Sequence, residues 1–292
     1  MPVLVRYYTD PACPWSWAAE PTLRTLMWEF GEELRFSWVM GGLARQYGPD
    51  YRDAEGGIGS GPDCHADLMA QWLEVAAESG MPIDPRLWSK NPIASTYPAC
   101  QAVKAAEEQG EAAAYRYLRR LREGLLTERK KLDHLEALVG EAGPAGLDTE
   151  RFRIDLSSHA ITEAFAADLD EVRDVPDDAR AASQVKRTEG RERVAFPSVV
   201  FVGADGARRG VWGWNPHGPY RAAAIAAGAR VVQERRPEPI EALDRFGRCA
   251  TRELEELTGK PPPVLGAELW TLAREWKVQA ISVLGGTLWE RV

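Results

Sequence analysis

The spacing of apolar residues changes near the start of the chain, and this change predicts the order strand, helix, strand. Val3–Tyr8 is a run of β-branched and aromatic residues that stops at Asp10-Pro11, as a strand stops before a turn. From Pro14 to Phe30 the apolar residues recur at helical spacing. Leu34–Met40 then alternates apolar and polar residues, which predicts a second strand. A right-handed crossover would make the two strands parallel.

A long helical stretch separates this opening from a second extended region. Residues Arg45 to Pro62 are glycine-rich and polar, which predicts a loop. Residues 63–187 then show successive patterns of helical period, which predict an all-helical insertion. The predicted helices are one that carries Leu68 and Trp72 and ends at Met81-Pro82, followed by Ala99–Gly110, Ala112–Leu126, Leu132–Ala142, Thr149–Leu156 and Ser158–Arg173.

Extended structure resumes after the insertion. Pro197–Val202 is a continuous apolar run, Val211–Trp214 has the composition of a further strand, and Tyr220–Gln233 is amphipathic and would cover the sheet. The pattern therefore predicts an α/β domain that is split in sequence, with residues 1–62 and 188–234 forming the sheet domain and residues 63–187 inserted between them.

The C-terminal residues 235–292 predict a separate small unit. Arg235–Pro239 contains two prolines and is typical of a linker. Three short helical patterns and a hairpin with a Gly285-Gly286 turn follow, which is the order of a winged-helix-like module. The three helical patterns are Ile240–Phe246, Thr251–Leu257 and Val264–Trp276, and the hairpin is Val278–Val292.

Composition and charge exclude several classes of protein. The chain has 292 residues, of which 45% are hydrophobic and 27% are charged, so collagen-like and broadly disordered classes are excluded. The net charge of −8 makes nucleic acid an unexpected partner. No apolar run approaches the ~18 residues of a membrane span. The first residues lack the basic and apolar regions of a signal peptide. We expect a cytoplasmic protein with no membrane partner.

The charge of the C-terminal module argues against DNA binding. From Pro237 to Val292 there are seven basic and nine acidic residues, whereas a DNA-binding module normally presents a basic stripe. We therefore interpret the module as a packing or protein-interaction unit. A redox-sensing regulator that binds DNA through it stays an alternative.

The cysteines and histidines limit the chemistry that is available. The four cysteines at positions 13, 64, 100 and 249 have no regular spacing, so we expect neither structural disulfides nor a zinc site. The four histidines have no paired metal-ligand spacing, and we expect no metal. A reactive thiol is the chemistry that this composition leaves open.

The sequence Cys13-Pro14-Trp15-Ser16 lies after the first predicted strand, where the first helix begins. Unpaired backbone N–H groups and the helix dipole stabilise an anion there, so we expect the Cys13 thiol to ionise below its free pKa of about 8.5 and to act as a nucleophile. The alternative is a small buried cysteine with a packing role only.

The chain resembles the DsbA-like thioredoxin-fold oxidoreductases, and particularly the FrnE-type branch and its bacterial protease-adaptor relatives. The resemblance covers about Val3 to Ala229. It is carried by the segments Asp10–Trp17, Glu20-Pro21, Gly41–Leu43, Asn91–Ala99 and Phe196–Phe201.

This resemblance implies a thioredoxin fold in which Cys13 attacks disulfides and Pro197 lies beside it after a cis peptide bond. The alternative for Pro197 is an ordinary trans proline at the first position of a strand. The residues that we expect to contact substrate are Pro14, Trp15, Tyr97 and Phe196. Related isomerases and kappa-class glutathione transferases carry serine at the position of Cys13, so the cysteine here favours thiol exchange.

The chain departs from the redox members of the family at Ser16, where they carry a second cysteine. A hydroxyl cannot form a disulfide, so internal resolution of a mixed disulfide by this residue is impossible. Three outcomes stay open. Cys13 acts as a monothiol with a low-molecular-weight thiol such as glutathione, mycothiol or bacillithiol; Cys64 or Cys100 acts as the resolving thiol; or redox activity is lost.

Two functions of different classes follow from these observations. The leading hypothesis is a thiol-disulfide oxidoreductase that uses Cys13 alone on a protein or small-molecule thiol or disulfide, with no cofactor beyond a thiol co-substrate. The alternative is a non-enzymatic or redox-sensing adaptor that recruits a protein partner, with the C-terminal module as a candidate docking unit.

Overall fold

The computed structural model describes residues 2–48 and 63–292, so most of the predicted loop Arg45–Pro62 lies outside the described residues. The strands are β1 (Val3–Thr9), β2 (Leu34–Met40), β3 (Val185–Thr188), β4 (Arg191–Val194), β5 (Ser198–Val202), β6 (Arg208–Val211), β7 (Cys249–Ala250), β8 (Val278–Val283) and β9 (Gly286–Arg291). The α-helices are α1 (Pro14–Ala18), α2 (Glu20–Phe30), α3 (Cys64–Ser79), α4 (Leu87–Lys90), α5 (Tyr97–Glu107), α6 (Glu111–Leu126), α7 (Leu135–Gly140), α8 (Thr149–Leu156), α9 (His159–Arg173), α10 (Asp177–Ala181), α11 (His217–Ala226), α12 (Pro239–Phe246), α13 (Thr251–Thr258) and α14 (Pro262–Arg274).

A four-stranded sheet in the order β2-β1-β5-β6 forms the centre of the first domain. β1 and β2 are parallel, and β5 and β6 are antiparallel to their neighbours. Alternate residues of β1 face opposite sides of the sheet. Val5 and Tyr7 join the core with α2 and α11, while Tyr8 packs with Val172 of α9 and with Cys13. The sheet and α2 thus show the strand-helix-strand order that the sequence predicted.

The helical insertion packs against the edge strand β2. Its helices α5, α6 and α9 contact that strand, and the buried Asp168 of α9 fixes the contact. Asp168 Oδ2 accepts the backbone N–H of Met40 at 2.9 Å and pairs with Lys104 Nζ of α5 at 3.2 Å. Two insertion helices are therefore joined to the end of β2 by one carboxylate.

The predicted helix Pro14–Phe30 is wrong as one helix, because it is divided at Ala19. Pro21 lies in the first turn of α2. It has no N–H to donate to Trp17, and its ring would clash with that carbonyl in a continuous helix. The interruption leaves α1 only five residues long.

Two predictions after the insertion are also wrong. A strand was predicted at Val211–Trp214, but the observed strand β6 ends at Val211. Because β6 is an edge strand with mostly polar residues, it lacks the apolar run by which a buried strand is recognised. The amphipathic stretch predicted at Tyr220–Gln233 is helical only as far as Ala226, where α11 ends before Gly228, whose φ is +103°. A left-handed glycine is a common helix stop.

The sequence analysis missed the antiparallel hairpin that β3 and β4 form between the insertion and β5. The domain boundary predicted between residues 187 and 188 falls inside β3, so the hairpin lies across it. The hairpin precedes the Phe196-Pro197 bond directly in sequence. It therefore positions the segment that leads into β5.

The C-terminal unit has three helices followed by the β8–β9 hairpin, in the predicted order, and the short strand β7 completes a three-stranded sheet. Buried ion pairs attach this unit to the first domain. Glu253 of α13 accepts two hydrogen bonds from Arg119 of α6 at 2.8 and 2.9 Å, and Arg24 of α2 lies 3.2 Å from it. Within residues 2–48 and 63–292, no helix is long and apolar enough to cross a membrane.

We predict that Asp168 makes folding stability fall as pH rises through weakly acidic values. Burial raises the pKa of Asp168 to about 6, whereas an unfolded aspartate titrates near 3.9. The folded state therefore binds the extra proton, and stability is lost between these pH values. In Asp168→Asn this loss disappears, so the difference in unfolding free energy between the two proteins should change by roughly 2–3 kcal/mol between pH 4 and pH 7. Urea unfolding at both pH values measures it, and a pH-independent difference would contradict the assignment.

Candidate active site

The Cys13 thiol lies where the end of β1 meets the beginning of β5. Cys13 precedes the first residue of α1, and its backbone N–H donates to the carbonyl oxygen of Asp10 at 3.1 Å. Its Sγ is 3.8 Å from the carbonyl oxygen of Phe196. The Phe196–Pro197 peptide bond is cis, the isomer that the family resemblance implies. The structure thus brings together the two segments that the sequence analysis singled out.

The buried carboxylate of Asp10 holds the turn that carries Cys13. Its Oδ1 accepts the backbone N–H of Ala12 at 2.8 Å, and its Oδ2 accepts that of Leu43 at 2.8 Å. The thiol of Cys100 on α5 donates to the same Oδ2 at 3.3 Å. One side chain therefore joins the turn after β1, the loop after β2 and the insertion. Burial raises the pKa of Asp10, although these donors oppose the shift.

The expected ionisation of Cys13 is wrong in direction. The side chain is only 3% exposed and packs with Tyr8, Val39 and Phe196. Burial raises the pKa of the Cys13 thiol above its ordinary value, although the hydroxyl and backbone N–H of Ser16 act in the opposite direction. A five-residue α1 also has a small dipole. Loss of hydration therefore outweighs the favourable helix end.

Ser16 occupies the position of the missing second cysteine. It is fully buried, and its Oγ makes no hydrogen bond among the described residues. Since a buried hydroxyl without a partner carries a desolvation cost, this one is available to the sulfur beside it. Ser16 can stabilise an anion on Cys13 but cannot displace a thiol from it.

A cleft of about 820 Å³ opens beside Cys13. Three of the four expected substrate contacts, Pro14, Trp15 and Phe196, line it. Its other described lining residues are Ala12, Cys13, Leu43, Ala44, Tyr47, Leu68, Gln71, Trp72, Val185, Lys186, Arg187, Thr188, Glu192, Arg193 and Ala195. A cavity of this size with aromatic walls and a few polar groups can hold a small organic ligand or an extended peptide segment.

Tyr97 does not belong to the described lining of this cleft. Its ring packs edge-on against Phe165, with ring centroids 5.0 Å apart, and its hydroxyl lies 3.4 Å from the carboxylate oxygens of Glu189. The expected substrate contact is therefore a contact with the tip of the β3–β4 hairpin.

The two candidates for a resolving thiol, Cys64 and Cys100, are both buried. All four cysteines are free and buried. Cys100 directs its thiol at Asp10, and burial raises its pKa well above the ordinary value. Cys64 is the first residue of α3 and is buried. That helix contributes Leu68, Gln71 and Trp72 to the cleft instead.

The residues that sequence reasoning missed lie mainly on the β3–β4 hairpin. Arg193 stacks its guanidinium over the Phe196 ring, 4.2 Å from the centroid, and its Nε donates to Thr188 Oγ1 at 2.8 Å. The available signal was the Glu189-Gly190 pair between two short segments. The dense charges of those segments concealed their alternation. Within residues 2–48 and 63–292, no group of three or more His, Cys, Asp or Glu side chains is suited to hold a metal.

Comparisons with known proteins identify the family of this chain. Residues 7–176 match the family model described as Thioredoxin. The ClpXP adapter protein SpxH of Halalkalibacterium halodurans is 33% identical over 168 residues, which are 58% of this chain and 53% of that protein. This chain thus spans about half the length of that relative. SpxH of Shouchella clausii is 26% identical over 99% of this chain and 88% of its own.

A solved structure shows the same fold. The cytosolic disulfide reductase DsbM of Pseudomonas aeruginosa superimposes with a TM-score of 0.54 at 18% identity, covering 76% of this chain and 96% of that protein. Together with the family match, this confirms the predicted α/β thioredoxin fold with a helical insertion. The relatives also fit the predicted branch of DsbA-like proteins related to protease adaptors.

We predict that alkylation of Cys13 follows a titration with a midpoint above that of an ordinary thiol. Because burial raises its pKa, the rate with iodoacetamide should still be rising above pH 8.5, where a free thiol is half ionised. Ser16→Ala should slow alkylation at pH 8 about fivefold, since a hydrogen bond to the thiolate is worth about 1 kcal/mol. Cys13→Ser supplies the background. A midpoint below that of a free thiol would contradict the assignment.

Proposed function

This chain belongs to the thioredoxin family, and we propose that it carries out thiol–disulfide exchange through Cys13 alone. The observation that carries the proposal is the contact between Cys13 Sγ and the Phe196 carbonyl at the wall of the cleft. A disulfide that enters the cleft meets this sulfur beside the backbone edge that leads into β5. Cys13 is the cysteine among the described lining residues of the cleft, whereas Cys100 directs its thiol at Asp10, and we therefore assign the exchange to one protein thiol.

The reaction has two balanced steps. In the first, the Cys13 thiolate attacks one sulfur of the substrate disulfide; a protein–substrate disulfide forms, and the second substrate sulfur leaves as a thiolate that takes up a proton. In the second, the thiolate of an external thiol attacks the substrate sulfur of the mixed disulfide, and Cys13 is released. In the net reaction the external thiol replaces one of the two sulfurs of the substrate disulfide, and the replaced sulfur leaves as a thiol.

Ser16 makes the external thiol necessary. Its hydroxyl and backbone N–H act to lower the pKa of Cys13 against the effect of burial, but the hydroxyl cannot complete an internal disulfide. Glutathione, mycothiol and bacillithiol are the classes of co-substrate that fit this requirement. The proposal includes a cytoplasmic location, because reduced low-molecular-weight thiols are kept available there.

Burial of Cys13 sets the conditions for the first step. Because its pKa is raised, the thiolate is a minor species at neutral pH, and the rate of attack rises with pH until the thiol is ionised. A bound substrate changes this balance by bringing its own polar groups into the cleft. Specificity therefore depends on which molecules fit against Trp15, Phe196 and the hairpin.

We predict that a mixed disulfide on Cys13 persists until an external thiol is added. The protein is incubated with a peptide disulfide, freed of reagent and followed by mass spectrometry. Ser16→Cys should release the peptide without an added thiol, because a second thiolate three residues away attacks the adduct within the chain. Cys13→Ser is the control that should form no adduct. Spontaneous release from the unaltered protein at the rate of Ser16→Cys would contradict monothiol exchange.

A second candidate function is that of a protein-binding adaptor. The SpxH relatives, one matched over 99% of this chain, are named adapters of ClpXP. The C-terminal unit offers a module for such a role, since the Glu253 ion pairs fix it on the first domain. In this case the cleft would bind a protein segment without exchange, and a low thiolate fraction would be no disadvantage.

We predict that the two functions separate in Cys13→Ser. If the chain is an adaptor of the ClpXP type, the variant should still accelerate degradation of a bound protein by ClpXP, as the unaltered chain does. If exchange is the function, the variant should lose all disulfide turnover. Acceleration that disappears in Cys13→Ala as well as in Cys13→Ser would rule out an adaptor role that is independent of the thiol.

A further inference from the structure

The β3–β4 hairpin limits access to Cys13 from one side of the cleft. It contributes six of the lining residues: Val185, Lys186, Arg187, Thr188, Glu192 and Arg193. Cys13 lines the same cleft, with only 3% of its surface exposed. A molecule that reaches the sulfur therefore has to fit between this hairpin and the beginning of α1.

The turn of the hairpin contains an unusual residue. Glu189 and Gly190 both have positive φ, +54° and +73°, and together they form the two-residue connection between β3 and β4. Such turns favour asparagine, aspartate or glycine at the first position, because their short side chains tolerate the left-handed conformation. Glutamate brings no local advantage to this backbone. Its longer side chain reaches groups outside the hairpin instead.

The Glu189 carboxylate contacts three other parts of the chain. Its Oε1 accepts the backbone N–H of Arg45, after β2, at 3.0 Å. Both its oxygens lie 3.4 Å from the hydroxyl of Tyr97 at the start of α5. The guanidinium of Arg173 at the end of α9 is 3.9 Å away. The tip of the hairpin is therefore joined to the loop after β2 and to two insertion helices through this one side chain.

The base of the hairpin is held independently of its tip. The backbone N–H of Ala195 donates to the carbonyl of Gln184 at 2.9 Å, and Arg193 stacks on Phe196. The β3–β4 ladder spans Val185 to Val194. Arg180 of α10 also donates to Glu192 Oε2 of β4 at 2.7 Å, so loss of the Glu189 contacts would release the turn of the hairpin and widen the cleft there while β4 stays attached.

We propose that Glu189 is a specificity-determining residue, which latches the hairpin and thereby sets the size of the molecule that reaches Cys13. The inference rests on the proposed exchange function for its biological meaning. With the latch closed, a slender thiol or disulfide reaches the sulfur. A folded protein disulfide reaches it only when the hairpin tip has left Arg45, Tyr97 and Arg173.

Glu189→Asn tests the latch without weakening the turn. Asparagine followed by glycine is the preferred pair for this type of turn, but the shorter amide cannot span the same contacts. We expect labelling of Cys13 by a maleimide linked to polyethylene glycol to become about tenfold faster, the factor expected for loss of a charge-assisted hydrogen bond. Labelling by iodoacetamide should change much less. The midpoint of its pH profile should stay in place.

Matched variants define the outcomes. Glu163→Gln removes one carboxylate from an exposed position of α9 and should leave both labelling rates unchanged, while Cys13→Ser gives the background. The latch is overturned if Glu189→Asn is labelled by the bulky maleimide at a rate within twofold of the unaltered protein. It is also overturned if both reagents change by the same factor and the midpoint of the pH profile shifts. Labelling does not require exchange. If Glu189→Asn speeds labelling by the bulky reagent but the protein forms no mixed disulfide, the proposed exchange function is refuted and the latch is not.

Discussion

The removal of one sulfur atom from water governs the chemistry of this thioredoxin fold. Cys13 has the backbone position expected of a nucleophile, one residue before a helix, yet it is packed among apolar side chains. A charge in such surroundings loses its hydration, and this raises the thiol pKa. The donors of Ser16 recover part of the loss. The Cys13 thiolate is consequently disfavoured in the cleft, and a bound partner can shift the equilibrium between thiol and thiolate.

The position of that sulfur depends in turn on Asp10. A fully buried carboxylate is stable only when its acceptors are used, and this one receives hydrogen bonds from Ala12, Leu43 and Cys100. These donors come from three segments that are distant in sequence. The same bonds place the turn of Cys13 beside the loop after β2. Cys100 thus has a structural use that accounts for its burial.

Sequence reasoning succeeded where the signal was periodic and local. The β-branched and aromatic run Val3–Tyr8 predicted β1, and the alternation over Leu34–Met40 predicted β2, because burial of the sheet imposes a regular pattern. The meeting of Cys13 with Phe196 came from the family resemblance, since periodicity carries no information on which distant segments touch. It could not have come from the helix dipole argument, which neglected desolvation and reversed the direction of the pKa shift.

The hairpin shows a different limit of sequence reasoning. Its strands are short and charged, so they lack the apolar alternation by which buried strands are recognised, and residues up to 187 were included in the helical insertion. Tyr97 was expected to contact substrate. Its hydroxyl instead meets Glu189, a contact between residues far apart in sequence that no local pattern encodes.

The account depends most directly on whether Cys13, and no other cysteine, exchanges with a disulfide. The decisive measurement is the intact mass of the folded protein after incubation with glutathione disulfide, together with the site of the modification. The account predicts one glutathione adduct per chain, located on Cys13 and absent from Cys13→Ser. A protein that acquires no adduct, or that acquires it equally in Cys13→Ser, would contradict the account.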